Sequence, residues 1–201
     1  MPAWDDWAMA PSEQQPTITA IAGLAREVEE FVAAGGWDQP PQLFALVPTG
    51  ALLDEQPELA GQLDPANPLT PVAQEALPEG DLAEALGRIA WPDVVTGCAI
   101  AQEIIVLPPD VEAELPDVAE GDAERLRRAA ADHPRRTEAR LVAAVLRDGE
   151  AACVMRLRGA APAEPGESDL APEPEDVVDE IVESPDLAPN LIEALKATLL
   201  P

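Results

Sequence analysis

Tyrosine is absent from this chain of 201 residues, histidine occurs once (His133), lysine once (Lys196) and cysteine twice (Cys98 and Cys153). Each scarcity removes a class of function. With four Trp, two Phe and no Tyr, side chains that stack on bases or sugars are in short supply, and the core has to be built from Ala, Leu and Val. Two cysteines are too few for a disulfide scaffold, and with one histidine they do not make a zinc-ligand spacing. Both fall in apolar strand-like runs, where a thiol acts as a small hydrophobe. Any histidine mechanism has to use His133, which stands before Pro134 beside Arg135 and Arg136, neighbours that disfavour its charged form. It reads as a helix-end or turn residue. No apolar run approaches the roughly 18 residues of a membrane span, and MPAWDDWAMAPSEQQP carries acids where a signal peptide needs bases. A soluble cytoplasmic protein with no membrane insertion is expected.

Motifs are lacking as well. There is no GxGxxG, no GxxxxGK[ST] and no Gly-x-Ser-x-Gly, and the acidic runs lack the alternating Asp/Asn pattern with a central Gly that builds a calcium loop. No catalytic residue, metal set or cofactor follows from the sequence, which leans away from an enzyme.

What the chain does have is charge, unevenly placed. It carries 39 acids against 12 bases, a formal charge of −27. Nine of the 12 bases lie between Arg125 and Arg158 with only four acids, a local excess of five positive charges; the remaining residues hold 35 acids against three bases. The molecule is electrically bipolar. Its overall charge repels nucleic acid and anionic membranes and favours basic partners, which argues against nucleic-acid binding. The arginines of the basic segment are Arg125, Arg127, Arg128, Arg135, Arg136, Arg140, Arg147, Arg156 and Arg158. They have two readings. Guanidinium forks suit carboxylate and phosphate alike, so they could meet an acidic partner or an anionic ligand; equally, they could neutralise acids of the same molecule. Arg135, Arg136, Arg140, Arg147, Arg156 and Arg158 are the candidate partner- or anion-binding residues.

Hydrophobic periodicity organises the rest. Residues 1–16 hold three prolines and no period, a loose arm. From Thr17, Ile21, Leu24, Val28, Phe31 and Val32 recur three or four apart, predicting a helix over 17–34, capped by Thr17 or Thr19 and stopped by Gly35-Gly36. Leu43 to Val47 reads as a buried strand. Thr49 is placed to cap a short helix and Pro57 to begin another, after which Pro65, Pro68, Pro71 and Pro78 predict an irregular connection. Asp81 caps a helix through Leu82, Leu86 and Ile89. Gly97 to Leu107 is a long strand with both faces covered. Residues 110–124, with seven acids and no base, read as a solvated connection, and 124–132 as a short helix. Residues 160–176 form a disordered acidic linker, and Pro185 to Leu200 a closing helix with Leu187, Leu191, Leu195 and Leu199 every four residues.

The clearest element is a hairpin, TEARLVAAVLR-DG-EAACVMRLRG. Asp148-Gly149 suits a two-residue type I′ turn, which sets Arg147 opposite Glu150, Ala143 opposite Val154 and Leu141 opposite Arg156. One face then carries Leu146, Ala144, Val142, Ala151, Cys153, Met155 and Leu157 as core. The other is apolar in the middle and rimmed by Arg147, Glu150, Arg156 and Arg158, which suits a covering helix or a partner.

These elements predict an α+β domain: a mainly antiparallel sheet of about four strands (43–47, 97–107, 138–147 and 150–158) with the N- and C-terminal helices packed on it. The core spans 17–159 and is completed by the segment 177–201. Several blocks, GWDQPPQLFALVPT, IAWPDVVTGCAI, EIIVLPP, HPRRTEARLVAAVLRDGEAACVMRLR and PDLAPNLIEALKATL, together resemble a family of small acidic proteins from actinobacteria to which no activity is assigned. The resemblance implies lineage and a cytoplasmic setting, and no chemistry. The expected function is a non-enzymatic cytoplasmic binding or adaptor protein, chaperone-like by analogy of shape, that uses the arginine-rimmed hairpin face on a protein partner or a second copy of itself. The alternative is a small anionic-ligand-binding protein or enzyme whose site is assembled from dispersed Arg and acidic residues.

Overall fold

A computed structural model describes residues 20–78, 80–108, 128–159 and 179–200. The expected arm (1–16), the Thr17 or Thr19 cap, the acidic connection (110–124) and the linker (160–176) lie outside the described residues, as does the first half of the helix expected at 124–132.

Six strands, rather than about four, form one antiparallel sheet: β1 (Gln42–Pro48), β2 (Leu69–Ala73), β3 (Gly97–Val106), β4 (Thr137–Leu146), β5 (Ala151–Leu157) and β6 (Glu180–Glu183), in the order β2-β1-β3-β4-β5-β6. The two additional strands are its edges. β2 falls where prolines predict an irregular connection, and its register explains the tolerance. Gln74 N–H donates to Leu43 O at 2.8 Å and Thr49 N–H to Pro68 O at 3.0 Å, so by antiparallel alternation the backbone of Thr70 and Val72 faces β1 while that of Leu69, Pro71 and Ala73 faces outward. Pro71 lacks an N–H only where the ladder needs none. β6 is four residues long with acids at both ends, too short for an alternation to be read.

Two groups of helices cover the sheet, giving three layers. On one face lies α1 (Ala20–Ala33), whose buried stripe is Ile21, Leu24, Ala25, Val28 and Val32. The expected stripe also held Phe31, but that ring points outward, 62% exposed and edge-on to Phe44 with centroids 5.9 Å apart; Glu29 occupies the buried line instead. Gly36, at φ +84, ends the helix as expected. On the opposite face lies α4 (Pro189–Thr198), which buries Ile192 and Leu195, with Leu199 just beyond it. It starts four residues later than the leucine period implies because Pro189 sits in its first turn, where a missing N–H costs nothing. Two shorter helices, α2 (Thr49–Glu55) and α3 (Leu82–Leu86), join that layer through Leu52, Leu82 and Leu86. Asp81 caps α3, accepting from Glu84 N–H at 3.0 Å. Thr49 is the first residue of α2 rather than its cap, and its hydroxyl bonds Thr70 Oγ1 at 2.9 Å.

The hairpin forms with a register one residue away from the expected one. Val145 pairs with Ala151, Ala143 with Cys153, Leu141 with Met155 and Arg140 with Arg156. The turn has three residues, Arg147 to Gly149: Leu146 N–H donates to Glu150 O at 2.9 Å and Gly149 N–H to Leu146 O at 3.0 Å. Only Gly149 has positive φ, and Asp148 Oδ1 accepts from Glu150 N–H at 3.0 Å, so Asp148 acts through its carboxylate rather than through a left-handed backbone. A one-residue slip exchanges the faces of an entire strand. Val142, Ala144, Ala152 and Val154 therefore lie under α1 with Arg140 and Arg156, whereas Leu141, Ala143, Val145, Cys153 and Met155 lie under α4.

Candidate functional site

Three of the candidate arginines meet on the α1 side of the sheet, around a glutamate that the sequence reading passed over. Glu29 is fully buried. Its carboxylate takes a two-pronged bond from Arg156, Nε to Oε1 at 2.7 Å and Nη2 to Oε2 at 2.6 Å, while Arg140 Nη1 lies 3.7 Å from Oε1. The pairing with Glu29 raises the Arg156 pKa above its ordinary value. Direct opposition of Arg140 and Arg156 in the hairpin brings two like charges together, and Glu29 resolves the repulsion. Arg140 is itself 1% exposed; it also donates to Gly36 O, pairs with Glu103 Oε1 at 3.3 Å and lies 4.6 Å from the Trp37 ring centre.

The network continues through the turn after α1. Asp38 holds positive φ (+66), a conformation in which its backbone N–H and that of Gln39 donate to the two oxygens of Glu103, at 3.0 and 3.2 Å. Arg158 also lies over the Trp37 ring, 5.3 Å from its centre, and bonds Asp38 Oδ1 at 3.1 Å and Glu138 Oε2 at 2.7 Å. Arg156 Nη1 lies 3.7 Å from Asp179. Arg140, Arg156 and Arg158 thus face five carboxylates (Glu29, Asp38, Glu103, Glu138 and Asp179). The cluster as a whole is acid-rich.

Arg147 lies apart, on the α4 side. It gathers backbone oxygens: Nε donates to Val95 O at 2.7 Å, Nη1 to Leu199 O, and Nη2 to Trp91 O and Pro92 O, both at 3.4 Å. A cation there satisfies the Leu199 carbonyl just past the end of α4 and complements the negative end of the helix dipole. Beside it Trp91 Nε1 donates to Thr198 Oγ1 at 3.0 Å, and Thr198 donates to Leu195 O at 2.7 Å.

The remaining candidates stay at the surface. Arg135 and Arg136 are exposed, in the turn between His133 and β4, and Arg128 is exposed in the preceding helical turn. An open cleft of about 940 Å³ adjoins this region, walled by Asp38, Leu82, Gln102, Glu103, Ile104, Ile105, Arg128 and Glu138 among others. Arg125 and Arg127 lie outside the described residues.

No catalytic constellation accompanies these groups among the described residues. Both cysteines are buried; burial pushes the Cys98 thiol up to about 11 and that of Cys153 also upward, opposite to what a nucleophile needs. Cys98 Sγ packs 3.7 Å from Thr198 Oγ1. His133 Nδ1 accepts from Arg135 N–H at 3.1 Å, the turn role its position implies. No group of three or more His, Cys, Asp or Glu among the described residues is placed to hold a metal ion. No described helix is long and apolar enough to cross a membrane.

The signal that would have exposed Glu29 is its spacing. It stands four residues after Ala25 and three before Val32, on the apolar line of an otherwise amphipathic helix, and a carboxylate there requires a buried cation.

A model of the PPA1309-like protein family matches residues 21–200; the chain belongs to that family. No curated protein and no solved structure matches the chain.

Proposed function

We propose that this PPA1309-like protein is a non-enzymatic cytoplasmic binding or adaptor protein of actinobacterial origin, and that the exposed arginines Arg135 and Arg136, with Arg128 beside them, make its contact with a protein partner. One observation carries the reading: Arg140, Arg147, Arg156 and Arg158 are engaged within the chain, whereas the side chains of Arg128 and Arg136 stand exposed, Arg128 in the wall of an open cleft. The geometry supports internal compensation for the hairpin arginines, and the exposed guanidiniums of Arg128 and Arg136 suit an acidic surface or segment of a partner. The buried, high-pKa thiols and the single histidine held in a turn favour binding over catalysis.

A second reading rests on the cleft. Its volume suits a small ligand, but its walls carry Asp38, Glu103 and Glu138 against Arg128, so they favour a zwitterionic or cationic ligand over an anion.

Affinity capture with wild type and an Arg135→Glu/Arg136→Glu variant, with and without nuclease, tests the proposal. A stoichiometric protein retained by wild type and lost by the folded variant is expected. Equal capture by both would contradict the role of the turn, and a nuclease-sensitive catch would point to nucleic acid.

A further inference from the structure

The two edges of the sheet are not equivalent. β2 presents outward the backbone of Leu69, Pro71 and Ala73, and Pro71 removes the central donor, a device that discourages strand addition. β6 has no such block. Ser184 N–H donates to Cys153 O at 3.2 Å in the same register as the Met155–Val182 and Leu157–Glu180 pairs, so Glu180 and Val182 bond inward to β5. The N–H and C=O groups of Ile181 and Glu183 then face outward, with no partner among the described residues.

The side chains at this edge are specific as well. Ile181 is 44% exposed, and acids flank it: Glu180, exposed and with no ion pair among the described residues, and Glu183, which is held by Arg26 at 2.5 Å. Arg26 and Arg156 anchor the strand from the α1 side by pairing with Glu183 and Asp179. A second copy of β6 can pair its outward edge only through Ile181 and Glu183, and every such register lays two strands that are half acid side by side, in chains of formal charge −27. An edge of this kind rejects itself and accepts the opposite sign.

We infer that the outer edge of β6 is a docking edge for an extended, basic segment of a partner protein, which adds as a seventh antiparallel strand. Backbone bonds to Ile181 and Glu183 supply the pairing, a β-branched residue opposite Ile181 covers its exposed side chain, and Lys or Arg opposite Glu180 sets the specificity. The inference stands independently of the arginine turn, which faces acidic partners, so either can fail alone.

The register supplies an unusual test variant. Ile181→Pro deletes an N–H that points outward, as Pro71 does at the other edge, and leaves the bonds of Glu180 and Val182 to β5 in place. Fluorescence anisotropy of a labelled alternating lysine-valine peptide, with glutamate-valine as control, measures the docking. The lysine peptide is expected to bind wild type, to bind Ile181→Pro about tenfold more weakly through the lost backbone bond and displaced neighbours, and to weaken further at about 0.5 M salt. Glu180→Lys, a surface change that leaves every inward bond intact, is expected to reduce binding of the lysine peptide and improve that of the glutamate peptide. Equal binding by wild type and a folded Ile181→Pro, preference unchanged in Glu180→Lys, or no binding of the lysine peptide by wild type would each overturn the inference.

Discussion

The two faces of the sheet are covered by helices of similar amphipathic build that are fastened in opposite ways. Under α4 the contact is aliphatic: Ile192, Leu195 and Leu199 rest on Leu43, Ile100, Ala143 and Val145, and the one arginine, Arg147, stays at the helix end bonding carbonyls. Under α1 a comparable apolar bed surrounds a buried carboxylate and two guanidiniums. The difference teaches what the basic segment is for. Apolar packing alone would let α1 slide by a turn along Val142, Ala144 and Val154 at modest cost, whereas Glu29 has one position from which it reaches both Arg140 and Arg156. The ion cluster fixes where α1 sits and which hairpin register it accepts, a specificity role that buried charges fill in other systems.

The comparison breaks most sharply at Glu29. Glu29→Ala leaves two guanidiniums buried beside each other, and chemical denaturation is expected to show a loss of about 3–5 kcal/mol. Replacing Glu29, Arg140 and Arg156 together by Leu, Met and Met is expected to recover much of that loss, with α1 less uniquely placed and its amide hydrogens exchanging faster. On the α4 side, Leu195→Ala removes buried methyls without stranding a charge, and about 3 kcal/mol is expected from cavity formation; no companion substitution of a charged group rescues it. A smaller effect separates the faces by pH. Burial raises the Cys98 thiol from 9.0 to about 11, so the unfolded chain loses its proton first as pH rises. The stability from the neutral thiol is fully present below pH 9 and declines through 11, by about 2 kcal/mol at pH 11 relative to Cys98→Ala. A pH profile of unfolding for the two proteins checks it. Least affected is the surface pair Arg88–Glu84, both side chains largely exposed, where Arg88→Ala is expected to change the midpoint by less than about 0.5 kcal/mol.

Much of this was legible from spacing. β1, β3, the hairpin, α1 and α4 all announce themselves by apolar periodicity, and Asp81 and Gly36 act as the cap and stop that their residue types imply. Two kinds of information were not local. The edge strands carry weak patterns because each has one free side, so β2 can hold Pro71 and β6 can be half acid. The hairpin register depended on the tertiary partner: Asp148-Gly149 permits both a two-residue and a three-residue turn, and the observed choice puts Arg140 and Arg156 where Glu29 meets them. Charge counting located the arginines but not their partners, since Glu29, Asp38 and Glu103 come from segments 37 to 127 residues away along the chain.

The division of the basic segment into arginines that hold the fold and arginines that face outward is tested most directly by equilibrium unfolding of Arg156→Met and Arg136→Glu side by side. The account predicts a loss of about 3 kcal/mol or more for Arg156→Met and a change within about 0.5 kcal/mol for Arg136→Glu. Equal losses, or a neutral Arg156→Met, would contradict it.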